Sequence, residues 1–205
     1  MMDNEYNTQL DNDENNLLNK LKTIWINEKF APNLLDYQNE IISNVMEKIE
    51  EKEALCTEGI QNKSHQFTAD IYEMEIERLK YIVKCYLRLR IKKIDQFYTS
   101  VLKESQSNTE LLSQHELKYT ERYKSYMDEY FKKTILSSLH KDHSTMSPDH
   151  YLEPQLNTWV FCKPKENLGE YLIDEDTIDF KKTSIYFVKY RPIKDLVQAG
   201  RMDLI

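Results

Sequence analysis

The stretch Tyr190-Arg191-Pro192-Ile193-Lys194-Asp195-Leu196-Val197-Gln198-Ala199-Gly200-Arg201-Met202-Asp203-Leu204-Ile205 decides how the C-terminal part of this chain folds. Pro192 stands where a short helix would begin, and Gly200 follows its apolar run, where the left-handed conformation that ends many helices suits glycine. Met202 and Leu204 then alternate with polar residues, as in a half-buried strand. The pattern predicts a strand, one or two helical turns and a last strand that belongs to a sheet.

Four short runs upstream of this stretch also carry strand signals, because each alternates in polarity and is bounded by turn residues. They are residues 158–162, 170–173, 178–180 and 184–190. Four of the five prolines and two of the three glycines lie beyond Leu139. We expect a linker over residues 141–155 and a small β-rich domain over residues 156–205.

Residues 17–140 carry apolar side chains at helical spacing and predict four helices. The longest, over residues 69–103, carries a second apolar stripe formed by Tyr81, Cys85 and Leu89 at i, i+4 and i+8. A helix that is apolar on more than one side is usually enclosed by neighbours, from this chain or from another subunit. The fold class is mainly α: an N-terminal four-helix domain followed by the small β-rich domain.

Tyrosines follow one face of the fourth helix, whose start is indicated by the capping box Ser113-Gln114-His115-Glu116. They are Tyr119, Tyr123, Tyr126 and Tyr130, at i, i+4, i+7 and i+11. One interpretation places all four rings in the core of this chain. Buried hydroxyls need hydrogen-bond partners, however, and tyrosine is enriched at protein interfaces. The stripe therefore favours an interface or the edge of a core.

Composition excludes several classes of protein. The net charge of −7 and the pI of 5.4 argue against a chain whose main work is to coat phosphate backbones. No apolar run reaches the ~18 residues that span a bilayer, so we expect a soluble protein without a membrane partner. Residues 1–16 are acidic and rich in asparagine, and we expect them to form a disordered tail.

The basic run of Arg88, Arg90, Lys92 and Lys93 is divided by helical geometry. Arg88 and Lys92 point away from the main apolar stripe, whereas Arg90 falls inside it. A guanidinium in an apolar stripe keeps its charge and must be paired. We predict a buried ion pair for Arg90, with an acid of a partner subunit or with Glu121, Asp128 or Glu129 of the fourth helix. A stand-alone nucleic-acid-binding module that uses residues 88–93 is the alternative function.

Catalytic and cofactor motifs are missing from the sequence, which has no P-loop, glycine-rich dinucleotide turn or serine elbow. We therefore expect no enzymatic activity and no cofactor. His140, His143 and His150 could ligate zinc by number, but no cysteine pair accompanies them, and a structural zinc site is a minor alternative. The three cysteines are widely spaced, which is typical of free thiols in a reducing compartment.

Four stretches of the chain resemble the SLD-five family, a subunit of the GINS complex of eukaryotic DNA replication. Besides residues 190–205, they are residues 25–35 (WINEKFAPNLL), 86–94 (YLRLRIKKI) and 153–161 (EPQLNTWVF). The four occur in the order that the family has, and together they cover the chain from about residue 17 onward.

The resemblance implies a helical A-domain followed by a B-domain, in a non-enzymatic subunit of a nuclear heterotetramer. Its implied partners are the three Psf subunits and, in the larger CMG helicase, the Cdc forty-five protein and the MCM hexamer, whose ring hydrolyses ATP. DNA would be contacted at most indirectly. We accordingly expect the Tyr81 stripe and the fourth-helix tyrosines to meet other subunits, together with Leu204 and Ile205.

Overall fold

The computed structural model describes the backbone of residues 2–61, 66–138, 151–173 and 176–205, and the side chains of 16–57, 67–137, 151–173 and 177–205. The three linker histidines and most of the expected linker lie outside these residues. Four long helices come first: α1 (Met2–Phe30), α2 (Asn39–Gln61), α3 (Gln66–Ser107) and α4 (Gln114–Thr134). The mainly α fold with a small C-terminal β region is confirmed.

The C-terminal region contains the remaining elements. In chain order they are β1 (Trp159–Pro164), β2 (Gly169–Ile173), β3 (Asp176–Phe180), β4 (Tyr186–Lys189), α5 (Tyr190–Gln198) and β5 (Met202–Leu204). The predicted strand, short helix and last strand are present as β4, α5 and β5. Gly200 has a φ of 68°, which confirms the left-handed turn expected after the helix. Pro192 lies within the first turn of α5, where its missing N–H removes no helical hydrogen bond.

Helix α1 begins earlier than we expected. Its backbone is helical from Met2, over the acidic segment for which the composition predicts disorder. Lengthening an existing helix fixes one residue for each hydrogen bond gained, whereas starting a new helix is costly. The segment therefore continues the helix that the apolar residues after residue 16 begin.

The chain divides into two compact units, and α3 contributes to both. Unit 1 comprises Met1–Lys29 and Gln38–Arg88, and unit 2 comprises Phe30–Tyr37 and Leu89–Ile205. The boundary that we expected at residues 140–141 lies outside the described residues and stays a prediction. Unit 2 joins the β region to the rest of its residues by contacts described below.

Unit 1 is a helical core. Its buried apolar side chains are Leu21, Ile42, Val45, Ile49, Ala69, Ile76, Leu79, Ile82, Val83 and Tyr86. Two ion pairs join α2 to α3: Lys52 Nζ lies 2.7 Å from Glu75 Oε2, and Lys80 Nζ lies 2.6 Å from Glu53 Oε1. The apolar spacing that the sequence shows on these helices is thus explained by packing within the unit.

Unit 2 contains two apolar clusters. One lies at the α3–α4 connection and comprises Leu34, Ile94, Phe97, Val101, Leu111 and Leu112. The other is the core of the β region, where the inner sides of the strands pack against Ile193, Leu196 and Val197 of α5. Ala31 belongs to this second cluster and Leu35 packs against it, so the segment after α1 completes the β core.

The β region has two antiparallel sheets. Strands β4, β1 and β5 form one sheet in that order, and β2 pairs with β3 in the other. Side chains of β1 alternate strictly, with Val160, Cys162 and Pro164 buried and Trp159, Phe161 and Lys163 exposed. One face of the three-stranded sheet therefore covers the core and the other carries aromatic rings outward.

Candidate protein-interaction site

Arg90 is fully buried (0% exposed) and donates hydrogen bonds to several parts of unit 2. Its Nε donates to Glu116 Oε1 at 2.8 Å and its Nη2 donates to Glu116 Oε2 at 3.1 Å, which makes a bidentate ion pair. Nη1 donates to the carbonyl of Leu35 at 2.7 Å, and Nη2 also donates to the carbonyl of Leu111 at 2.8 Å. The guanidinium carbon lies 5.2 Å from the centre of the Tyr37 ring. We call these contacts the Arg90 network.

Glu116 has two roles in this network. It is the third residue of α4, and its Oε2 accepts a hydrogen bond from the Ser113 backbone at 2.9 Å while Ser113 Oγ accepts from the Glu116 backbone. The predicted capping box is therefore confirmed. The carboxylate that pairs with Arg90 is this capping residue and not Glu121, Asp128 or Glu129, because the start of α4, rather than its middle, faces Arg90. Burial, and next the charge of Glu116, raise the pKa of the Tyr37 phenol.

The segment Phe30–Tyr37 has no helix of its own and is held by polar contacts to α3 and the loop after it. Lys93 Nζ donates to the Asn33 carbonyl at 2.8 Å, and Asn108 Nδ2 donates to Asp36 Oδ1 at 2.7 Å. The Tyr37 amide donates to the carbonyl of Glu110 at 2.9 Å. Together with the Arg90 bond to Leu35, these contacts fix a segment that would otherwise lack regular hydrogen bonding.

The basic run is thus largely used inside the chain. Arg90 is buried and Lys93 is half-buried, each bonded to a backbone carbonyl of the segment Phe30–Tyr37, while Arg88 and Lys92 are exposed. Two exposed cations on an acidic chain are few for phosphate binding, which gains affinity from each neutralised phosphate. The nucleic-acid interpretation of residues 88–93 loses support.

The α4 tyrosines fall into two pairs. Tyr119 and Tyr123 stack at 6.0 Å, and Tyr123 meets the buried ring of Tyr98 edge-on at 5.4 Å. Tyr119 donates its hydroxyl proton to Asp95 Oδ1 at 2.8 Å, and this bond is the largest cause that raises the pKa of Tyr119 to about 12. Tyr126 and Tyr130 are exposed, the former by 65%. The first pair contacts α3 through Tyr98 and Asp95, and the second pair is exposed.

An apolar stripe runs along the first half of α3, and four of its five members are exposed. Its members are Phe67, Ile71, Met74, Tyr81 and Cys85, which we call the α3 stripe. Phe67 is 77% exposed and Met74 is 76% exposed, whereas Cys85 is half-buried and hydrogen-bonded to the Tyr81 hydroxyl, which raises the pKa of that phenol. Leu89, the last residue of the stripe predicted from the sequence, is half-buried. Sequence reasoning missed Phe67, Ile71 and Met74, although they extend the same spacing toward the N-terminus of α3.

The two predicted residues at the end of β5 differ from each other. Leu204 is 2% exposed and belongs to the β core, so the expectation that it meets another subunit is wrong. Leu204 pairs with Cys162, which is buried, so the side chain of Leu204 lies on the same inner face of the sheet. Ile205 is exposed on the opposite side and stays a predicted contact.

Among the described residues, no group of three or more His, Cys, Asp or Glu side chains could hold a metal ion. Burial raises the pKa of the Cys162 thiol to about 11, which suppresses the thiolate needed for nucleophilic attack. None of the helices in the described ranges has the length and apolar character needed to cross a bilayer.

Comparisons with known proteins agree on one family. The model of the GINS complex protein helical bundle domain matches residues 36–135, and that of the DNA replication complex GINS protein SLD5 C-terminus matches residues 154–205. The DNA replication complex GINS protein SLD5 of Dictyostelium discoideum is 58% identical over the whole of both chains. The human protein of that name is 31% identical over 92% of this chain and 89% of its own length. The chain belongs to the SLD5 (SLD-five) family of DNA replication complex GINS proteins.

Proposed function

We propose that this chain is a non-enzymatic structural subunit of the GINS heterotetramer and acts in the nucleus beside three Psf subunits. Through that tetramer it would join the Cdc forty-five protein and the MCM hexamer in the CMG helicase, for initiation and elongation of DNA replication. Family membership supports the assignment to GINS. The single structural observation that carries the scaffold role is the α3 stripe.

The α3 stripe has the properties of a helix-packing surface. Phe67, Met74 and Tyr81 are spaced by seven residues, as in helices that pack side by side, and Ile71 lies between the first two. Arg78 takes the corresponding place between Met74 and Tyr81. A group of exposed apolar side chains on a lone chain marks an interaction site, and obligate interfaces are the more apolar ones. A partner helix from another subunit would remove these side chains from water.

Two further observations favour a scaffold over a catalyst. The Arg90 network uses the one buried guanidinium–carboxylate pair of the described residues for structure, since both groups bond to backbone as well as to each other. In the same residues, the carboxylates of Glu53, Glu75 and Glu166 are each engaged in an ion pair with a lysine or an arginine. ATP hydrolysis in the proposed assembly belongs to the MCM ring.

Co-expression with the other three GINS subunits tests the proposal. A Phe67→Ser/Met74→Ser variant should weaken association roughly tenfold or more, as loss of central interface anchors does. Met46→Ser, which removes an exposed methionine from α2, is the matched control. Both variants should melt like the wild-type chain when expressed alone, because their side chains are already exposed.

Three results would count against the proposal. A wild-type chain that does not co-purify with the other subunits would contradict GINS membership of this chain. Normal assembly of the Phe67→Ser/Met74→Ser variant would show that the α3 stripe is not part of the interface. Tight, steeply salt-dependent binding of the lone chain to duplex DNA, lost on Arg88→Ala/Lys92→Ala, would instead favour the nucleic-acid module.

A further inference from the structure

The segment Phe30–Tyr37, which leads from the end of α1 toward α2, contributes to both apolar clusters of unit 2, and we call it the strap. Ala31 is buried in the β core, and Leu35 packs against the same core. Leu34 is buried instead in the cluster at the α3–α4 connection. Leu34 and Leu35 are adjacent in sequence, so the strap joins two clusters that share no member.

The backbone of the strap is fixed by two cations of α3 at the point where these side chains diverge. Arg90 Nη1 donates to the Leu35 carbonyl at 2.7 Å, and Lys93 Nζ donates to the Asn33 carbonyl at 2.8 Å. Hydrogen bonds from charged donors are stronger than those between neutral groups. Because the Leu35 carbonyl and the Leu35 side chain belong to one residue, the position of that side chain in the β core depends on the Arg90 guanidinium.

The start of α4 in turn orients the guanidinium. Glu116 accepts hydrogen bonds from Nε and Nη2 of Arg90, and its Oε2 also accepts from the Ser113 amide of the capping box. The guanidinium is planar and rigid, so a carboxylate that fixes Nε and Nη2 also fixes the direction of Nη1. Hydrogen bonds therefore run without interruption from the cap of α4, through Arg90, to the Leu35 carbonyl beside the β core.

We infer that the strap couples the Arg90 network to the β core, so that loosening the network at the start of α4 opens the β core. In this arrangement Arg90 is a positioning residue for Leu35 and, through the same segment, for Ala31. Coupling between two sites is reciprocal, so a change in the β core must also loosen the cap of α4. The coupling belongs to the lone chain and is independent of the proposed function.

A second connection between the helices and the β region bypasses the strap. Lys194 Nζ of α5 lies 3.0 Å from Glu104 Oε1 in the last turn of α3. Both side chains are partly exposed, and ion pairs that water can reach contribute little to stability. Lys194→Ala therefore separates this ion pair from the strap as the connection that holds the β core closed.

Cys162 reports opening of the β core, because its side chain is 0% exposed and a thiol reagent reaches it only when the core opens. Cys56→Ser/Cys85→Ser leaves Cys162 as the single thiol of the full chain, and its reaction with DTNB is timed without denaturant. In this background Glu116→Gln, which removes the charge but keeps the shape of the side chain, should speed labelling roughly tenfold. Arg88→Ala is the matched control at an exposed position and should change the rate by less than about twofold.

Leu35→Ala provides the reciprocal measurement and keeps the test decisive if Glu116→Gln unfolds. It removes the strap side chain from the β core but leaves the carbonyl that Arg90 binds. We expect faster labelling of Cys162 and also faster hydrogen exchange of the Glu116 amide, which donates to Ser113 Oγ in the cap. Combined with Glu116→Gln, its effect on labelling should be smaller than the product of the two single effects, as for residues that act through one contact.

Ile49→Ala, in the core of unit 1, distinguishes this coupling from a general loss of stability. It should lower the urea midpoint but change Cys162 labelling by less than about twofold, because the β core opens without unit 1 unfolding.

Four results would overturn the inference. They are unchanged labelling in a Glu116→Gln chain of lower urea midpoint, unchanged exchange of the Glu116 amide in Leu35→Ala, multiplicative effects in the double variant, and labelling that Lys194→Ala or Ile49→Ala speeds as much as Glu116→Gln.

Discussion

The Arg90 network and the α3 stripe reverse the usual distribution of polar and apolar groups. Arg90, which keeps its charge at any physiological pH, is fully buried, whereas Phe67 and Met74 on the same helix are more than three-quarters exposed. The buried cation bonds to Glu116 and to the carbonyls of Leu35 and Leu111, so its partners include groups of this same chain. Phe67 and Met74, in contrast, are not covered by other side chains among the described residues.

The contrast shows which requirements a subunit can postpone until it meets its partners. A buried charge without a partner costs several kcal/mol, so the chain must satisfy Arg90 before any other protein arrives. Exposed apolar surface carries a smaller penalty per side chain, which a partner later removes. The lone chain therefore satisfies its buried charge and leaves the apolar side chains of the α3 stripe exposed.

Truncation of Arg90 should produce the largest effect. Arg90→Ala leaves the Glu116 carboxylate buried without its cation and removes the donors that hold the Leu35 and Leu111 carbonyls. We expect a loss of about 3–5 kcal/mol in the free energy of unfolding, measured by urea denaturation of the lone chain.

Arg88→Ala is the matched control, since Arg88 is exposed two residues away, and it should change stability by less than about 0.5 kcal/mol. Arg90→Lys should resemble Arg90→Ala more than wild type, because an ammonium cannot make the bidentate pair. Equal unfolding midpoints for Arg90→Ala and Arg88→Ala would show that the buried Arg90 contributes no more to stability than the exposed Arg88.

The α4 tyrosines allow packed and exposed side chains to be compared within one helix face. Tyr123→Leu removes the ring contacts to Tyr98 and Tyr119 and should cost roughly 1 kcal/mol. Tyr126→Leu should leave the lone chain within about 0.5 kcal/mol of wild type, because Tyr126 is exposed. Thermal unfolding of the two variants side by side measures the difference, and a larger loss for Tyr126→Leu would contradict the division into two pairs.

The smallest expected effect is a pH dependence at Tyr119. Its pKa is raised from 10.0 to about 12, chiefly by the hydrogen bond to Asp95, so the folded state favours the neutral phenol. The stabilisation is complete below pH 10 and is lost as the pH rises through about 12. The melting temperature of Tyr119→Phe should therefore approach that of wild type over this range. A difference between the two melting temperatures that increases with pH would show that the hydrogen bond does not favour the neutral phenol of Tyr119.

Much of the fold follows from local patterns that the sequence displays directly. Ser113 and Glu116 identify the start of α4, and Gly200 identifies the turn before β5, because capping and left-handed turns depend on a few adjacent residues. The burial of Arg90 was predictable from helical geometry alone. The identity of its partner was not, since Glu116 already had a local role as a capping residue and its second role depends on tertiary packing.

The interaction surfaces were only partly predictable, for a related reason. The Tyr81 stripe was visible, but Phe67 and Met74 could be read as core until the position of each helix was known. Leu204 and Ile205 are neighbours of similar chemistry, and only the register of β5 against β1 assigns one to the core and the other to the surface. Alternation reveals that a strand has two faces and does not say which one another element covers.

The position of Ala31 and Leu35 in the β core also constrains how the chain folds. These side chains come from the segment after α1, yet the cluster that they join includes Val160, Val188 and Met202 near the other end of the sequence. Contacts at such sequence separation are formed slowly, because a long loop must close first. The β region should consequently mature late, and an isolated fragment over residues 154–205 would expose part of its own core.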